Sequence, residues 1–404
     1  MTIQNLSLEA LAREYGSPLY VYDTSKMLEK LTLLRESFSG VKLKIKYAMK
    51  ALNNVSILRF FKQQGTGVDC VSIQEVHLAL YAGFLPAEII FTPNCVAFSE
   101  IQEAVALGLI INIDNISILE QFGHEYGASV PCCIRLNPHL IGGGNSKIQV
   151  GHIDSKFGIS ILQMRHLHRV IQTNNIHVNG LHVHTGSDIL QPEVFLQGAE
   201  IIFDIAREFP HLQFIDFGSG FKVAYREGDV TTDMEDLGQK LSLAFQEFCT
   251  SYGRELEIWF EPGKFLVSES GYLLVSVNVV KQTPASVFVG VDSGMNHLIR
   301  PMLYDGYHEI VNLSNPEGKA RIYSVVGYIC ETDTLGSDRK LAEVREGDIL
   351  AIKNAGAYGF TMASQYNARF RPAEVMIHAG KAHLIRSRET IEDILRNQVE
   401  SVVF

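Results

Sequence analysis

The decapeptide Val41-Lys42-Leu43-Lys44-Ile45-Lys46-Tyr47-Ala48-Met49-Lys50 has an apolar residue at every odd position. This period of two predicts a β-strand that ends at Lys50. Asn53-Asn54 and the amphipathic residues 55–61 then predict a helix with an asparagine near its N-cap. Lys50 is therefore expected where a strand gives way to a helix, and α/β folds commonly carry their chemistry at such positions. A solvated lysine is the structural alternative.

Composition limits the class of protein. The 404 residues are 46% hydrophobic and 20% charged, which is typical of a globular chain with room for two domains. A net charge of −10 without a Lys/Arg cluster argues against nucleic acid or an anionic membrane as the main partner. The N-terminus lacks a signal-peptide pattern, and no apolar run approaches the ~20 residues of a membrane helix. Six cysteines without a CxxC pair favour a reduced, cytoplasmic chain.

Eight strand-like runs recur along residues 41–261, with helical patterns between nearly every pair. They end near Lys50, Ser72, Pro93, Asp114, Pro138, Gly186, Gly218 and Glu261. Eight βα units of this combined length predict a (β/α)8 TIM-type barrel, an α/β fold. A doubly wound open sheet is the structural alternative, but no G-x-G-x-x-G motif follows an early strand to support it.

After Glu261 the pattern changes to alternating stretches without long helices between them. These stretches cover 271–281, 286–291, 321–326, 348–353, 372–378 and 382–385. They predict a second domain, a mainly antiparallel β-sandwich or β-barrel. The predicted barrel covers 30–270, and the predicted β domain combines 1–29 with 271–404. Residues 8–12, 25–38 and 390–397 are predicted helices, and 19–22 a strand.

The carboxyl ends of the predicted barrel strands carry polar residues that should share one rim. They are Lys50, Asp69, Asn94, Arg135, His184, Gly218-Ser219-Gly220 and Glu261. The Gly-Ser-Gly turn could bind an anion through backbone N–H groups or be a plain tight turn. His182 and His184 could ligate a metal, stack on a planar cofactor or be buried structural residues, although no carboxylate or cysteine lies at metal-ligand spacing. Glu261 could pair with a cofactor ring nitrogen.

Two stretches of the predicted β domain also stand out. Cys330-Glu331-Thr332-Asp333 sets a thiol beside acidic residues, and a buried structural cysteine is the usual alternative. Asn354-Ala355-Gly356-Ala357-Tyr358-Gly359 is a glycine-containing loop that displays a tyrosine.

Six motifs occur in an order that resembles the diaminopimelate decarboxylase family. They are YAMK at 47–50, HVHTGS at 182–187, EPGK at 261–264, MNHLIRPMLYD at 295–305, CETD at 330–333 and AGAYGF at 355–360. The family belongs to the alanine-racemase-like class of pyridoxal-phosphate enzymes, which have a barrel and a β domain. The resemblance covers roughly residues 15–380. It implies a carboxy-lyase that converts meso-2,6-diaminopimelate to L-lysine and carbon dioxide, the last step of lysine biosynthesis.

The resemblance also implies a role for each site residue. Lys50 would hold pyridoxal 5'-phosphate covalently, His184 would stack on its ring, and Glu261 would bind the pyridine nitrogen. The phosphate would be held by Ser187, Gly218, Ser219 and Gly220, with help from the backbone of Pro262, Gly263 and Lys264. The amino acid substrate would be bound by Lys264, Arg300, Tyr304, Glu331 and Tyr358, the last also contacting the cofactor. Cys330 would protonate the product and, like Glu331, reach the neighbouring subunit's site, which implies a homodimer; no metal is expected.

Two positions depart from the family pattern. The family usually has arginine at the position of Lys264, and a lysine supplies the charge but not the bidentate fork. Ser219 replaces the middle glycine of the phosphate loop, which requires a φ open to a non-glycine residue there.

Three other functions remain open at this point. They are another basic amino acid decarboxylase, such as one for carboxynorspermidine, an amino acid racemase, and a pyridoxal-phosphate-binding homeostasis protein, which is a carrier. Arg300 argues against the first because it offers a cation for a distal carboxylate. The second domain, with Cys330 and Glu331, argues against the carrier.

Overall fold

The computed structural model describes residues 1–139, 155–184, 186, 188–399 and 401. It divides into two compact units. The barrel unit comprises Lys30–Val223 and Val230–Phe265, and the β unit comprises Met1–Glu29, Ala224–Asp229 and Leu266–Phe404. Among the described residues, no helix combines the length and apolar character needed to span a bilayer.

The chain begins with short elements that precede the barrel. They are β1 (Thr2–Ile3), β2 (Leu6–Ser7), α1 (Leu8–Tyr15), β3 (Leu19–Asp23) and α2 (Thr24–Ser37). Ser7 caps α1, since its side chain accepts a hydrogen bond from the Ala10 backbone N–H. The predicted helices and strand in this part of the chain are therefore present, each with slightly different ends.

The barrel unit alternates strands and helices along the described chain. Its strands are β4 (Leu43–Ala48), β5 (Gly67–Cys70), β6 (Ile89–Phe91), β7 (Ile110–Ile113), β8 (Cys132–Asn137), β9 (Ile159–Ser160), β10 (Val178–Val183), β11 (Phe214–Asp216) and β12 (Glu257–Phe260). Its helices are α3 (Val55–Gln63), α4 (Ile73–Ala82), α5 (Phe98–Ala106), α6 (Ile116–Tyr126), α7 (Met164–Thr173), α8 (Pro192–Ala206), α9 (Met234–Tyr252) and the start of α10 (Lys264–Val267).

Eight of these strands close into a parallel barrel. The order runs β4-β5-β6-β7-β8, then β10-β11-β12, and β12 pairs with β4 to complete the ring. The two-residue β9 attaches to the edge of β8 and is not part of the ring. The prediction of a (β/α)8 barrel is confirmed, and the open-sheet alternative is wrong.

Large side chains fill the barrel interior. Ile90, Cys133, Phe214 and Trp259 form one buried cluster. They come from β6, β8, β11 and β12, so they meet inside the ring. The Phe214 and Trp259 rings stack with centroids 3.6 Å apart, and Gly180 makes room for Phe214 because a Cβ there would collide with the ring. This packed layer separates the two ends of the barrel.

One expectation about the opening decapeptide is wrong in detail. The strand ends at Ala48, and Lys50 lies in a single 3-10 turn, Met49–Ala51. The turn forms because the Leu52 backbone N–H donates to the Met49 carbonyl. Asn54 is the N-cap of α3, as predicted, with its side chain accepting from the Ser56 backbone N–H at 3.0 Å.

The β unit is built around one long strand. Its remaining elements are β13 (Gly271–Gln282), β14 (Val287–Val291), α11 (Arg300–Tyr304), β15 (Ile310–Asn312), β16 (Ala320–Val326), β17 (Thr334–Ala342), β18 (Ile349–Ile352), β19 (Ala373–His378), β20 (Lys381–Arg386) and α12 (Ile391–Leu395). The sheet order is β17-β16-β14-β13-β3-β19-β20, with β18 also on β13 and β15 on β18. Only the β14–β16 and β19–β3 pairs among these are parallel.

The amino-terminal strand β3 completes this sheet, since it lies between β13 and β19. Its residues Leu19 and Val21 pack in a core with Leu274, Ala351 and Val375. Besides the two-residue strands β1, β2 and β9, the strands β15 and β17 were not predicted. β15 has three residues, and β17 contains Gly336 and a positive φ at Asp338, so neither shows clear alternation.

Candidate active site

Lys50 and Asp69 form an ion pair at the carboxyl-terminal rim of the barrel. Lys50 follows β4 and Asp69 lies in β5, and Nζ is 2.6 Å from Oδ2. Asp69 is fully buried, whereas the Lys50 side chain is 38% exposed. Burial and the nearby Glu261 raise the pKa of Asp69, and Lys50 opposes them. An accessible primary amine is therefore held in place by a buried carboxylate.

Glu261 follows β12 and is buried beside His182 of β10. The Glu261 Oε2 lies 3.1 Å from the His182 Nε2, and Thr92 Oγ1 donates to the other oxygen at 3.5 Å. Burial by itself would raise the pKa of Glu261. His182, Lys50 and Arg135 outweigh it and lower the pKa to about 2. This carboxylate is therefore ionised in an interior position, where it can stabilise a cationic group above the barrel.

His184 and the Gly218-Ser219-Gly220 turn lie against each other after β10 and β11. The Ser219 backbone N–H donates to His184 Nδ1 at 3.2 Å. Burial first, then the positive charge of Arg135, lowers the pKa of His184 to about 3, so the ring is neutral. His184 thus offers an uncharged aromatic face, and its orientation is held by the turn.

The turn has the backbone geometry of an anion cradle. Gly218 and Gly220 have φ of +61° and +118°, whereas Ser219 is not among the positive-φ residues. A Cβ at Gly218 would collide with His184, and one at Gly220 with the Gly186 carbonyl. Serine is therefore tolerated at the middle position, and glycine is required on both sides of it. Ser187, like Thr185, lies outside the described residues.

The segment after Glu261 joins the eighth strand to the first. The Ala48 backbone N–H donates to the Pro262 carbonyl at 3.2 Å, and Gly263 approaches the side chains of Ala48 and Ala51 closely. Lys264 Nζ lies 2.5 Å from Asp188 Oδ1. The Lys264 ammonium is therefore paired with a carboxylate of its own unit.

In the β unit, Arg300 and Tyr304 begin and end α11. Arg300 Nη1 donates to the Tyr225 hydroxyl at 2.6 Å, and its guanidinium lies 4.9 Å from the Tyr225 ring centroid. Tyr225 also contacts Ser268 through its hydroxyl, at 3.2 Å. Tyr225 orients the Arg300 fork without neutralising its charge.

Cys330 and Glu331 lie on an exposed loop that is organised by a buried acid. Asp333 accepts hydrogen bonds from the backbone N–H groups of Met295 and Ile329, at 2.5 and 2.9 Å. Cys330 is exposed, so the structural alternative of a buried cysteine is wrong. Asn367 donates to its Sγ at 3.0 Å, and the Tyr366 hydroxyl donates to Glu331 at 2.5 Å.

Tyr358 has a left-handed backbone, with a φ of +56°. A non-glycine residue in this region stores strain, and such residues concentrate at functional sites. Gly356 holds the loop in place because a Cβ there would collide with the Val267 carbonyl and Gly271. The loop therefore presents Tyr358 from a fixed base within the β unit.

Four residues with defined contacts were not among the site residues that the resemblance implies. They are Asp69, His182, Asp188 and Tyr225. Asp69 and His182 carried a signal, since both lie near strand ends on the inward face. Asp188 and Tyr225 lie in loops without periodicity, and only the folded chain brings them to Lys264 and Arg300.

The barrel rim fits pyridoxal phosphate, the group that the resemblance implies. It provides an amine at Lys50, an ionised carboxylate at Glu261 and a glycine cradle. Three buried polar atoms around it have no hydrogen-bond partner among the described residues: Asp69 Oδ1, His182 Nδ1 and Asp216 Oδ2. Such atoms indicate that the site is completed by a polar group.

His182, Asp216 and Glu261 offer ligand atoms within 4.8 Å of one another, a spacing that a metal ion could use. Burial, and then Glu261, raise the pKa of Asp216 well above its usual value, which disfavours the ionised form that a metal ligand needs. His182 and Glu261 already bond to each other. We therefore assign no metal to this cluster.

Comparisons with known proteins agree with this geometry. Residues 24–268 match the family described as pyridoxal-dependent decarboxylase, pyridoxal binding domain. Diaminopimelate decarboxylase of Methanothermobacter thermautotrophicus is 37% identical over 398 residues, which are 96% of this chain and 93% of that protein. The Helicobacter pylori diaminopimelate decarboxylase crystallised with L-lysine is 33% identical with a TM-score of 0.89, over 96% of this chain and 98% of that one. The chain belongs to the diaminopimelate decarboxylase family of pyridoxal-dependent decarboxylases.

Proposed function

We propose that this chain decarboxylates meso-2,6-diaminopimelate to L-lysine and carbon dioxide, the last step of lysine biosynthesis. The main support is the ionised, buried Glu261 on the same barrel rim as the Lys50–Asp69 pair. A carboxylate kept charged there favours a protonated pyridine ring, which a decarboxylase of this class needs. The relatives named above are diaminopimelate decarboxylases of nearly the same length.

Pyridoxal 5'-phosphate is the cofactor of this family, and the barrel residues divide its binding between them. When bound, the cofactor supplies an electron sink for the bond pair left behind as carbon dioxide departs. Lys50 Nζ would attach it, and Asp69 holds that amine in position. Glu261 would bind the ring nitrogen, and neutral His184 would stack on the ring. The Gly218–Gly220 turn, Ser187 and the backbone of 262–264 would hold the phosphate.

Residues of the β unit would bind the amino acid substrate. The distal end of diaminopimelate carries both an amino and a carboxyl group, so the pocket needs both charges. Arg300 offers a guanidinium fork suited to a carboxylate, and Glu331 offers a charge for the amine. Tyr304 and Tyr358 would complete the contacts. Lys264 is paired with Asp188, so we assign it a smaller share of substrate binding than Arg300.

Cys330 would deliver the proton to the product, because it is an exposed thiol on a loop ordered by Asp333. We propose that Cys330 and Glu331 act in the neighbouring subunit's site of a homodimer, with the β unit forming the interface. We also propose a cytoplasmic location, which suits the six free cysteines.

Assays of carbon dioxide release test the substrate. Purified protein loaded with pyridoxal phosphate should release carbon dioxide from meso-diaminopimelate and form L-lysine. Release from ornithine or carboxynorspermidine, with none from diaminopimelate, would refute the proposal. Reduction with borohydride followed by peptide mass analysis should place the cofactor on Lys50.

A Cys330→Ala variant tests the proton donor. It should keep the absorbance of the bound cofactor and lose most product formation, by about 100-fold or more. Cys249→Ala is the matched control, since Cys249 lies in α9, and it should retain full turnover. Unchanged turnover in Cys330→Ala would remove this thiol from the mechanism.

A further inference from the structure

The barrel unit has a cavity at the end opposite the candidate active site. It has a volume of about 620 Å³ and lies at the amino-terminal ends of β4, β5 and β12. Its charged lining residues are Arg35, Lys44, Lys46, Glu88 and Glu257. The packed Phe214–Trp259 layer lies between this cavity and the carboxyl-terminal rim.

Lys46 is the buried cation of this cavity. It is only 5% exposed, its Nζ donates to the Glu88 backbone carbonyl at 3.1 Å, and it lies 4.6 Å from the Trp259 ring centroid. It forms no ion pair with a carboxylate of the described chain. A buried ammonium is normally paired, because burial removes the hydration that stabilises its charge.

The two carboxylates of the lining are committed to other groups. Glu257 accepts from Trp259 Nε1 at 2.8 Å and lies 3.9 Å from Lys44. The Glu88 carboxylate lies 3.3 Å from Lys62 Nζ and accepts from the Leu85 backbone N–H. Neither side chain forms an ion pair with Lys46, although both raise its pKa through longer-range attraction and only partly offset the effect of burial.

Arg35 adds a second positive charge to the same wall. It donates to the backbone carbonyl of Gln64, an acceptor without a formal charge. Desolvation lowers the pKa of Arg35, and desolvation lowers that of Lys46 to about 8, with Asp216 opposing the latter shift. The lowered pKa values of Arg35 and Lys46 both show that the residues around the cavity stabilise these positive charges poorly.

We propose that this cavity is a binding site for a small anion bearing a carboxylate or phosphate group, which pairs with Lys46 and Arg35. The anion would supply the direct ion pair with Lys46 that neither Glu88 nor Glu257 forms. The site is separate from the one proposed for catalysis and does not depend on that assignment.

Trp259 makes the proposal directly measurable, because it is the single tryptophan of the chain and lies beside Lys46. In the holoenzyme, the emission of Trp259 should change with pH around a midpoint near 8 as Lys46 loses its proton. Inorganic phosphate and succinate are the two probes. A bound anion favours the charged amine, so it should move this midpoint upward by about one unit.

The sign of the linkage predicts how binding depends on pH. Because the anion prefers the protonated Lys46, its affinity should be highest below the midpoint. It should fall by about ten-fold in total as pH rises from the midpoint of the free protein to that of the anion-bound form, which lies about one unit higher. A response to phosphate alone would assign a phosphate site, and a response to succinate alone a carboxylate site.

Three variants separate this site from others. Lys46→Met should lose both the midpoint near pH 8 and the anion-dependent change. Lys46→Arg should lose the midpoint but still respond to the anion, since a guanidinium stays protonated. Lys42→Met is the control and should behave as the parent protein. Lys42 is exposed, pairs with Glu255 and does not line the cavity.

The proposal is overturned if phosphate and succinate move the midpoint no further than sodium chloride at equal ionic strength. It is also overturned if Lys46→Met responds as the parent does.

Discussion

Replacing the buried Lys46 by methionine should stabilise the barrel unit at neutral pH. Burial lowers the pKa of Lys46 from 10.5 to about 8, and each pKa unit corresponds to about 1.4 kcal/mol, so the folded state holds this charge at a cost of roughly 3 kcal/mol. The lost hydrogen bond to the Glu88 carbonyl offsets about 1 kcal/mol of that gain. The free energy of unfolding should therefore rise by about 2 kcal/mol, since methionine fills similar space without a charge.

The stabilisation expected for Lys46→Met should depend on pH in a defined direction. Below pH 8 both folded and unfolded states hold the Lys46 proton, and the full destabilisation is present. Between the folded pKa near 8 and the unfolded value of 10.5, the unfolded state binds more protons, so the parent protein gains stability as pH rises. Lys46→Met lacks this contribution, and its advantage should shrink across that window.

Urea unfolding at a series of pH values, in buffer free of phosphate and carboxylates, measures both effects. Lys42→Met serves as the control, because Lys42 is exposed and its removal should change the free energy of unfolding by less than about 0.5 kcal/mol. Lower stability of Lys46→Met at pH 7, or an advantage over the parent that stays constant from pH 7 to 10.5, would refute the reasoning.

Three further substitutions test the candidate active site. Glu261→Gln keeps the side-chain shape but removes the buried charge, so turnover should fall on the order of 100-fold while the fold is retained. Circular dichroism checks the fold and lysine formation checks the turnover; near-normal turnover would contradict the prediction. Arg300→Lys should raise KM about ten-fold with little change in kcat, because the bidentate fork is lost; steady-state kinetics with diaminopimelate decide. Asp333→Ala removes the carboxylate that accepts from the backbone N–H groups of Met295 and Ile329. Turnover should fall without loss of cofactor absorbance, and full activity would show that the Cys330 loop does not depend on Asp333.

Much of the architecture could be predicted from local pattern. The eight strand-like runs before Glu261 correspond to the eight strands of the ring, since period-two alternation and glycine or asparagine breaks are short-range properties of the chain. Closure of the ring could not be read from any single run. It depends on the β12–β4 and β10–β8 pairings, which join distant segments.

In the candidate active site, too, the positions of residues could be predicted from the sequence, whereas their contacts could not. Lys50, His184 and Glu261 stood out because each follows a strand, and parallel strands bring such positions to one rim. Their electrostatics were not predictable. The contacts Lys50–Asp69 and His182–Glu261 join residues 19 and 79 positions apart, and the pKa values follow from burial and from charges on several strands.

Residues 41–50 show most clearly which properties the local sequence determines and which depend on the tertiary structure. Alternation by itself determined a strand with an apolar face and a lysine face, but it did not determine what covers each face. In the closed barrel the apolar face is covered by helices, so the lysine face turns toward the interior, and Lys46 comes to lie beside Trp259. Only the closure of the ring decided this, because it pairs β12, which carries Trp259, with β4 and leaves Lys46 only 5% exposed.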